Sequence, residues 1–419
     1  MTLKTEAIAT DLITEKSKPE ASPSLDFIPL AVPAIQGNEW RYIKECLDTK
    51  WVSSVGPFVD RFESEVAARV GTRFAVATVN GTAALHVALL LAGVKPEDEV
   101  LVSTLTFIAP VNAIRYVGAW PVFIDAEPDY WQMDPSGVVD FLERGCGWHK
   151  SALHNRLTGR RVSAVIPVHI LGHPVDLDPI IEIARKYNLK VIEDATEGLG
   201  ATYRGRPLGS IGDVGCFSFN GNKIITTGGG GMLVTSNEEW ARKAKYLTTQ
   251  AKDDPTEYVH SEIGYNYRLT NLLAAMGCAQ LEQLEAFIAA KQRIASRYAE
   301  GLRRLPGISL MKEASWASSS WWMYTVLVDE AAFGTDSRQL MRSLNSKKIQ
   351  TRPLWQPIHL SGAHKGRSAT KMPIAEKLYQ QALSLPCSAG LGEKEQSRVI
   401  EAVRTIAAGA TPEEAPLCN

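Results

Sequence analysis

Between residues 74 and 194 five short apolar runs alternate with four helix-length segments, and that rhythm restricts the fold more than any other feature. The runs at 74–79, 99–103, 120–125, 162–168 and 189–194 read as strands, and 82–92, 108–116, 135–144 and 177–187 read as helices. Strands that are apolar almost throughout, each followed by a helix of roughly ten residues, predict a largely parallel sheet covered on both faces. The expected class is α/β. Ligands in such sheets sit beyond the carboxyl ends of the strands, where Asn80, Thr106 and Asp194 all fall.

Two further strands are expected at 215–219 and 232–235, and helices at 238–247 and, over a long span, at 272–305. A smaller C-terminal unit follows, with a strand at 321–328 and helices at 337–348 and 393–408. The chain of 419 residues therefore divides into a polar tail (1–26), a large domain (27–285) and a small α+β domain (286–419). The segment 146–161 is basic and reads as an irregular insert, a solvated loop or a contact for a diphosphate. The apolar run 82–94 reads as a buried helix.

A net charge of -1 gives no electrostatic footprint for nucleic acid or for an anionic membrane surface. The tail lacks the apolar stretch of a signal peptide, and no run of about 18 apolar residues is present to span a bilayer. The six cysteines, at 46, 146, 216, 278, 387 and 418, show no metal-binding spacing and no disulfide framework. No metal is expected, and a cytoplasmic location is.

The chemistry concentrates around Lys223, in Cys216-Phe-Ser-Phe-Asn-Gly-Asn-Lys223-Ile-Ile-Thr-Thr-Gly-Gly-Gly-Gly231. Small residues around a lysine let a flat ring lie against backbone, and an aldehyde cofactor such as pyridoxal phosphate needs a lysine amine to hold it. It also needs a carboxylate at its ring nitrogen, for which Asp194 is the candidate; capping of the following segment is the plainer alternative. Glu197 could reach the phenolic side of such a ring or complete a cap. Asn80-Gly81-Thr82 turns from strand to helix and offers free backbone N–H groups to a phosphate, with the hydroxyls of Thr82 and Ser218 nearby in the reading. Phe107 could stack on a ring or pack in the core. His169 and His173 lack acidic or cysteine partners at metal spacing and read as structural, and Trp51, Trp321, Trp322 and Trp355 read as packing or dimer contacts.

Seven ordered motifs carry a resemblance: Trp51-Val-Ser-Ser-Val-Gly56, Asn80-Gly-Thr-Ala-Ala-Leu85, Thr106-Phe-Ile-Ala109, Pro167-Val-His-Ile-Leu-Gly172, Glu193-Asp-Ala-Thr-Glu197, Ser218 to Lys223, and Gly264-Tyr-Asn-Tyr-Arg-Leu269. Together they resemble the DegT/StrS family of nucleotide-sugar aminotransferases, fold-type-I enzymes that use pyridoxal phosphate. The resemblance implies that Lys223 forms the Schiff base and shuttles the proton. It likewise implies that Asp194 holds the ring nitrogen, Phe107 stacks on the ring, and Gly81, Thr82 and Ser218 bind the phosphate. Asn266 would reach the phosphate of a neighbouring subunit, which implies a homodimer with shared sites. Relatives that dehydrate sugars carry histidine where this chain keeps Lys223, so transamination from L-glutamate is implied.

The chain departs from the family pattern at Glu197 and at Gly228–Gly231. With Gly37-Asn-Glu-Trp-Arg-Tyr-Ile-Lys-Glu-Cys-Leu-Asp48 and the 51–56 motif, these positions are similar to the branch that aminates C4 of UDP-linked 4-keto-6-deoxy-N-acetylglucosamine, on routes to legionaminic acid or bacillosamine. The rivals are a C3 or perosamine-type C4 aminotransferase acting on a dTDP- or GDP-ketosugar, a dehydratase, and a cofactor-binding regulator without turnover.

Overall fold

The computed structural model describes residues 27–254, 256–364 and 371–410; the expected tail and Cys418 lie outside the described residues. Seven strands form the central sheet: β1 (Phe74–Thr78), β2 (Glu99–Ser103), β3 (Trp120–Ile124), β4 (Val162–Ile166), β5 (Lys190–Asp194), β6 (Val214–Ser218) and β7 (Gly231–Thr235). Their order is β1-β7-β6-β5-β4-β2-β3. All ladders among β2 to β6 are parallel, and β7 runs antiparallel to both its neighbours.

Alternation along each strand feeds two cores, one on each face. Val100 and Val102 enter the layer beneath the helix Gly81–Leu91, whereas Leu101 enters the layer that holds Phe62 and Leu177. The helix Gly81–Leu91 is apolar nearly all round and buried over most of its length, as its composition predicts.

One consequence of the reversed β7 positions the site. Its first residue, Gly231, pairs with Thr78 at the end of β1 and with Ser218 at the end of β6. A Cβ on Gly231 would lie 2.4 Å from the carbonyl carbon of Asn80. The glycine thus lets three chain segments meet at the ends of β1 and β6.

The C-terminal part holds an antiparallel sheet of Ile308–Leu310, Tyr324–Val328 and Ala382–Leu385, flanked by Ser337–Ser346, Pro373–Gln381 and Glu393–Ala410. The segment after residue 27 hydrogen-bonds to this part, with Ile28 N–H on the Lys348 carbonyl at 2.9 Å.

Three expected elements differ. The long helix at 272–305 is two, Asn271–Leu281 and Leu284–Leu302. Glu282 between them is gripped by the Tyr42 hydroxyl (2.6 Å), the Asn38 amide and Arg61, while Gln283 turns tightly onto Gln280. The helix at 135–144 is α-helical only over Pro135–Asp140 and then widens into a π turn, Phe141–Gly145. The insert is an ordered hairpin, Cys146–His149 with Ala152–Asn155, turning at Lys150 in the left-handed region. Among the described residues no helix is long and apolar enough to cross a membrane.

Candidate active site

A cavity of about 330 Å³ opens at the carboxyl ends of the parallel strands. Gly81, Thr82, Phe107, Asp194, Glu197, Ser218 and Lys223, all singled out from sequence, lie in its wall.

The helix start is built by Asn80, which adopts an extended conformation and caps the Ala83 N–H at 2.8 Å while its carbonyl takes Ala84 N–H. A helix leaves its first N–H groups without intrahelical partners, and here those of Gly81 and Thr82 remain at the cavity wall. A Cβ on Gly81 would lie 3.0 Å from Ser218 Cβ and 3.2 Å from Thr196 Cγ2. Helix start and strand end approach this closely only with glycine there.

Asp194 ends β5 and is buried. Its Oδ1 accepts the Thr196 N–H at 3.1 Å, a local turn rather than a helix cap. Burial raises its pKa, opposed by the Thr196 hydrogen bonds and by the charge of Lys223. Glu197 does not cap either. Its Oε2 accepts Leu171 N–H at 2.8 Å and its Oε1 lies 3.6 Å from Lys223 Nζ. Burial pushes its pKa up to about 7, with Lys223 pulling the other way.

Lys223 follows a turn closed by its N–H on the Asn220 carbonyl. Its side chain is 14% exposed, and Nζ lies 4.2 Å from the centroid of the Trp322 ring. Phe107 is 55% exposed, so its ring is offered to a ligand instead of the core.

The histidines are structural, as their spacing suggested. His169 Nδ1 accepts Val175 N–H at 3.0 Å, and Nε2 faces Glu193 at 3.2 Å. Glu193 in turn receives the N–H groups of Gly209, Ile211 and Gly212 and fixes that loop. His173 bridges Pro174 O and Ala314 N–H, and burial lowers its pKa to about 4.

Two tryptophans assigned to packing or dimer contacts belong to the site: Trp322 and Trp355 are in the cavity wall, together with Thr196 and Asn222. The two tryptophans come from segments distant in sequence, and nothing in the local pattern marks them, whereas Thr196 and Asn222 sit inside the 193–197 and 218–223 motifs. Asn266 is exposed and outside its own chain's cavity; its backbone bridges Thr249.

A helix start with free N–H groups, a buried acid, an exposed aromatic face and an amine thus surround one space. The set fits pyridoxal phosphate: N–H groups for the phosphate, a carboxyl for the ring nitrogen, an amine for the aldehyde. The profile of the DegT/DnrJ/EryC1/StrS aminotransferase family matches residues 33–404. The chain belongs to that family. It is a pyridoxal-phosphate-dependent aminotransferase of nucleotide-linked ketosugars.

Among its relatives, a GDP-perosamine synthase of Caulobacter vibrioides is 41% identical over 380 residues, 90% of this chain and 98% of that protein. EpsN of Bacillus subtilis, named provisionally as a pyridoxal phosphate-dependent aminotransferase, is 39% identical over 382 residues, 89% of this chain and 94% of its own. The solved structure of DesI in the presence of its TDP-sugar product superposes with a TM-score of 0.82 at 30% identity, covering 91% of this chain and 93% of that one.

Proposed function

We propose that this aminotransferase moves the amino group of L-glutamate to the C4 keto carbon of a nucleotide-linked 4-keto-6-deoxyhexose, with a GDP-linked sugar as the first candidate. The observation that carries the reading is the placement of Lys223 in one cavity with Asp194 and the Gly81–Thr82 helix start. The choice of GDP rests on the perosamine synthase that shares 41% of its residues over nearly its whole length. The UDP-linked N-acetylhexosamine expected from sequence rests on Glu197, Gly228–Gly231 and the 51–56 motif, and is retained as the second reading.

Pyridoxal phosphate supplies the electron sink and carries the amino group between the two substrates. The N–H groups of Gly81 and Thr82 and the hydroxyls of Thr82 and Ser218 would hold its phosphate, and Phe107 would cover a ring face. Asp194, in its desolvated position, would keep a proton on the ring nitrogen by ionising beside it. Lys223 Nζ removes the α-proton of glutamate and, in the second half-reaction, returns a proton to C4 of the sugar. Asn266, exposed on its own chain, would complete the site of a second copy in a homodimer.

The test is incubation with glutamate and, separately, GDP-4-keto-6-deoxymannose, UDP-4-keto-6-deoxy-N-acetylglucosamine and a dTDP-3-ketosugar, with products read by mass and NMR. A 4-amino GDP-sugar with equimolar 2-oxoglutarate is the expected outcome. Conversion of the UDP-sugar alone would establish the second reading, and a 3-amino product would reject both.

A further inference from the structure

Two strained turns meet beside the cavity. Leu171 (φ 61°) and Trp321 (φ 50°) occupy the left-handed region that residues other than glycine rarely adopt. Gly172 locks the turns together: its carbonyl accepts Ser320 N–H at 3.0 Å and the Ser319 hydroxyl at 2.8 Å. A Cβ on Gly172 would lie 2.7 Å from Trp322 N. The first turn delivers Leu171 N–H to Glu197. The second sends the Trp322 indole to Lys223, with its N–H on the Asn222 carbonyl at 2.8 Å.

Lys291 lies behind the second turn, on the helix Leu284–Leu302. It is buried, and its Nζ donates to the Trp322 carbonyl at 2.9 Å and closely to the Cys387 carbonyl. Among the described residues no carboxylate pairs with it. Burying a cation against neutral acceptors alone carries a desolvation cost. A leucine or methionine would pack there without that cost, so packing does not account for this lysine. The carbonyls it holds do.

We propose that the Trp322 ring and the Glu197 carboxyl form a berth for the Lys223 amine whenever it is not joined to the cofactor, and that Lys291 is the positioning residue that fixes the indole. The inference rests on the role given to Lys223 above. In transamination the substrate's amine replaces the lysine on the cofactor, so in every turnover Nζ is freed inside a cavity where the lysine side chain is only 14% exposed. A carboxylate and an aromatic face both receive an ammonium there. Among the described residues, the ionisable groups facing Nζ are the Asp194 and Glu197 carboxyls.

The test uses the full-length chain freed of cofactor. The rate of Lys223 acylation by trace acetic anhydride is followed against pH by peptide mass spectrometry, in the wild type and in Trp322→Leu, Trp322→Phe and Lys291→Met. Leucine removes the π face and lowers the pH midpoint of labelling by about half to one unit. Phenylalanine keeps the face and stays near the wild type. Lys291→Met moves in the direction of the leucine variant. Superimposed profiles for the wild type and Trp322→Leu would overturn the berth. A Lys291→Met chain that is folded by circular dichroism and keeps the wild-type midpoint would overturn the positioning role. The Trp322 pair decides the berth whether or not the Lys291 variant folds. Because no cofactor is present, failure here is separable from failure of the proposed reaction.

Discussion

Lys223 and Glu197 face each other at 3.6 Å inside the cavity, and their environments set what each can do. Replacing Lys223 by Ala removes the only amine that the described residues place in the cavity wall, and turnover is expected to fall by at least about 10³-fold while the fold persists. Steady-state assay with glutamate, beside circular dichroism, checks this. Glu197 yields a prediction in pH. Its folded pKa of about 7 exceeds the unfolded value, so between about pH 4.5 and 7 the unfolded chain ionises while the folded one retains its proton. Stability of the cofactor-free chain therefore falls as pH rises through that window and levels off above it. Glu197→Gln should flatten the decline by about 1–3 kcal/mol, read from urea midpoints at pH 4.5 and 7.5. Equal slopes in the two proteins would contradict the raised pKa.

At the scale of elements, Gly231 joins β7 to the Asn80–Gly81 turn, and a Cβ there meets backbone, which cannot swing aside. Gly231→Ala is expected to cost about 1–3 kcal/mol and to weaken cofactor retention, since the helix start moves with the strand. Thermal melts and equilibrium dialysis with pyridoxal phosphate measure the two effects. Most strands and helices were legible because the parallel sheet is buried on both faces, so each strand reads as an apolar block. The residues at strand ends, Asn80, Asp194 and Ser218, were legible for the same reason. What sequence did not show is set by long-range contacts. Glu282 breaks an otherwise continuous helical pattern because Tyr42, Asn38 and Arg61 reach it from the N-terminal helices. Trp322 lines the site from a segment that bonds to Lys291 and Gly172, neither of which is near it in sequence. The hairpin at 146–155 mixes apolar residues (Cys146, Trp148, Leu153) with polar ones, and its alternation is too short to separate a strand from a loop.

For the whole molecule, the apolar side chains left exposed include Trp40 at 76% and Ile263 at 84%, and large exposed apolar groups mark association surfaces when they gather. Asn266 lies near Ile263 in sequence and outside its own cavity. The proposed homodimer predicts that Lys223→Ala and Asn266→Ala chains, each weak alone, recover activity when co-expressed, because hybrid dimers contain one intact site. Sedimentation of the wild type as a single chain would contradict it. The proposed chemistry depends on the nitrogen at position 223, and borohydride reduction of the cofactor-loaded protein followed by peptide mapping examines it most directly. The predicted result is a pyridoxyl group on the peptide containing Lys223 and on no other; an unlabelled peptide, or a label on a different lysine, would contradict the account.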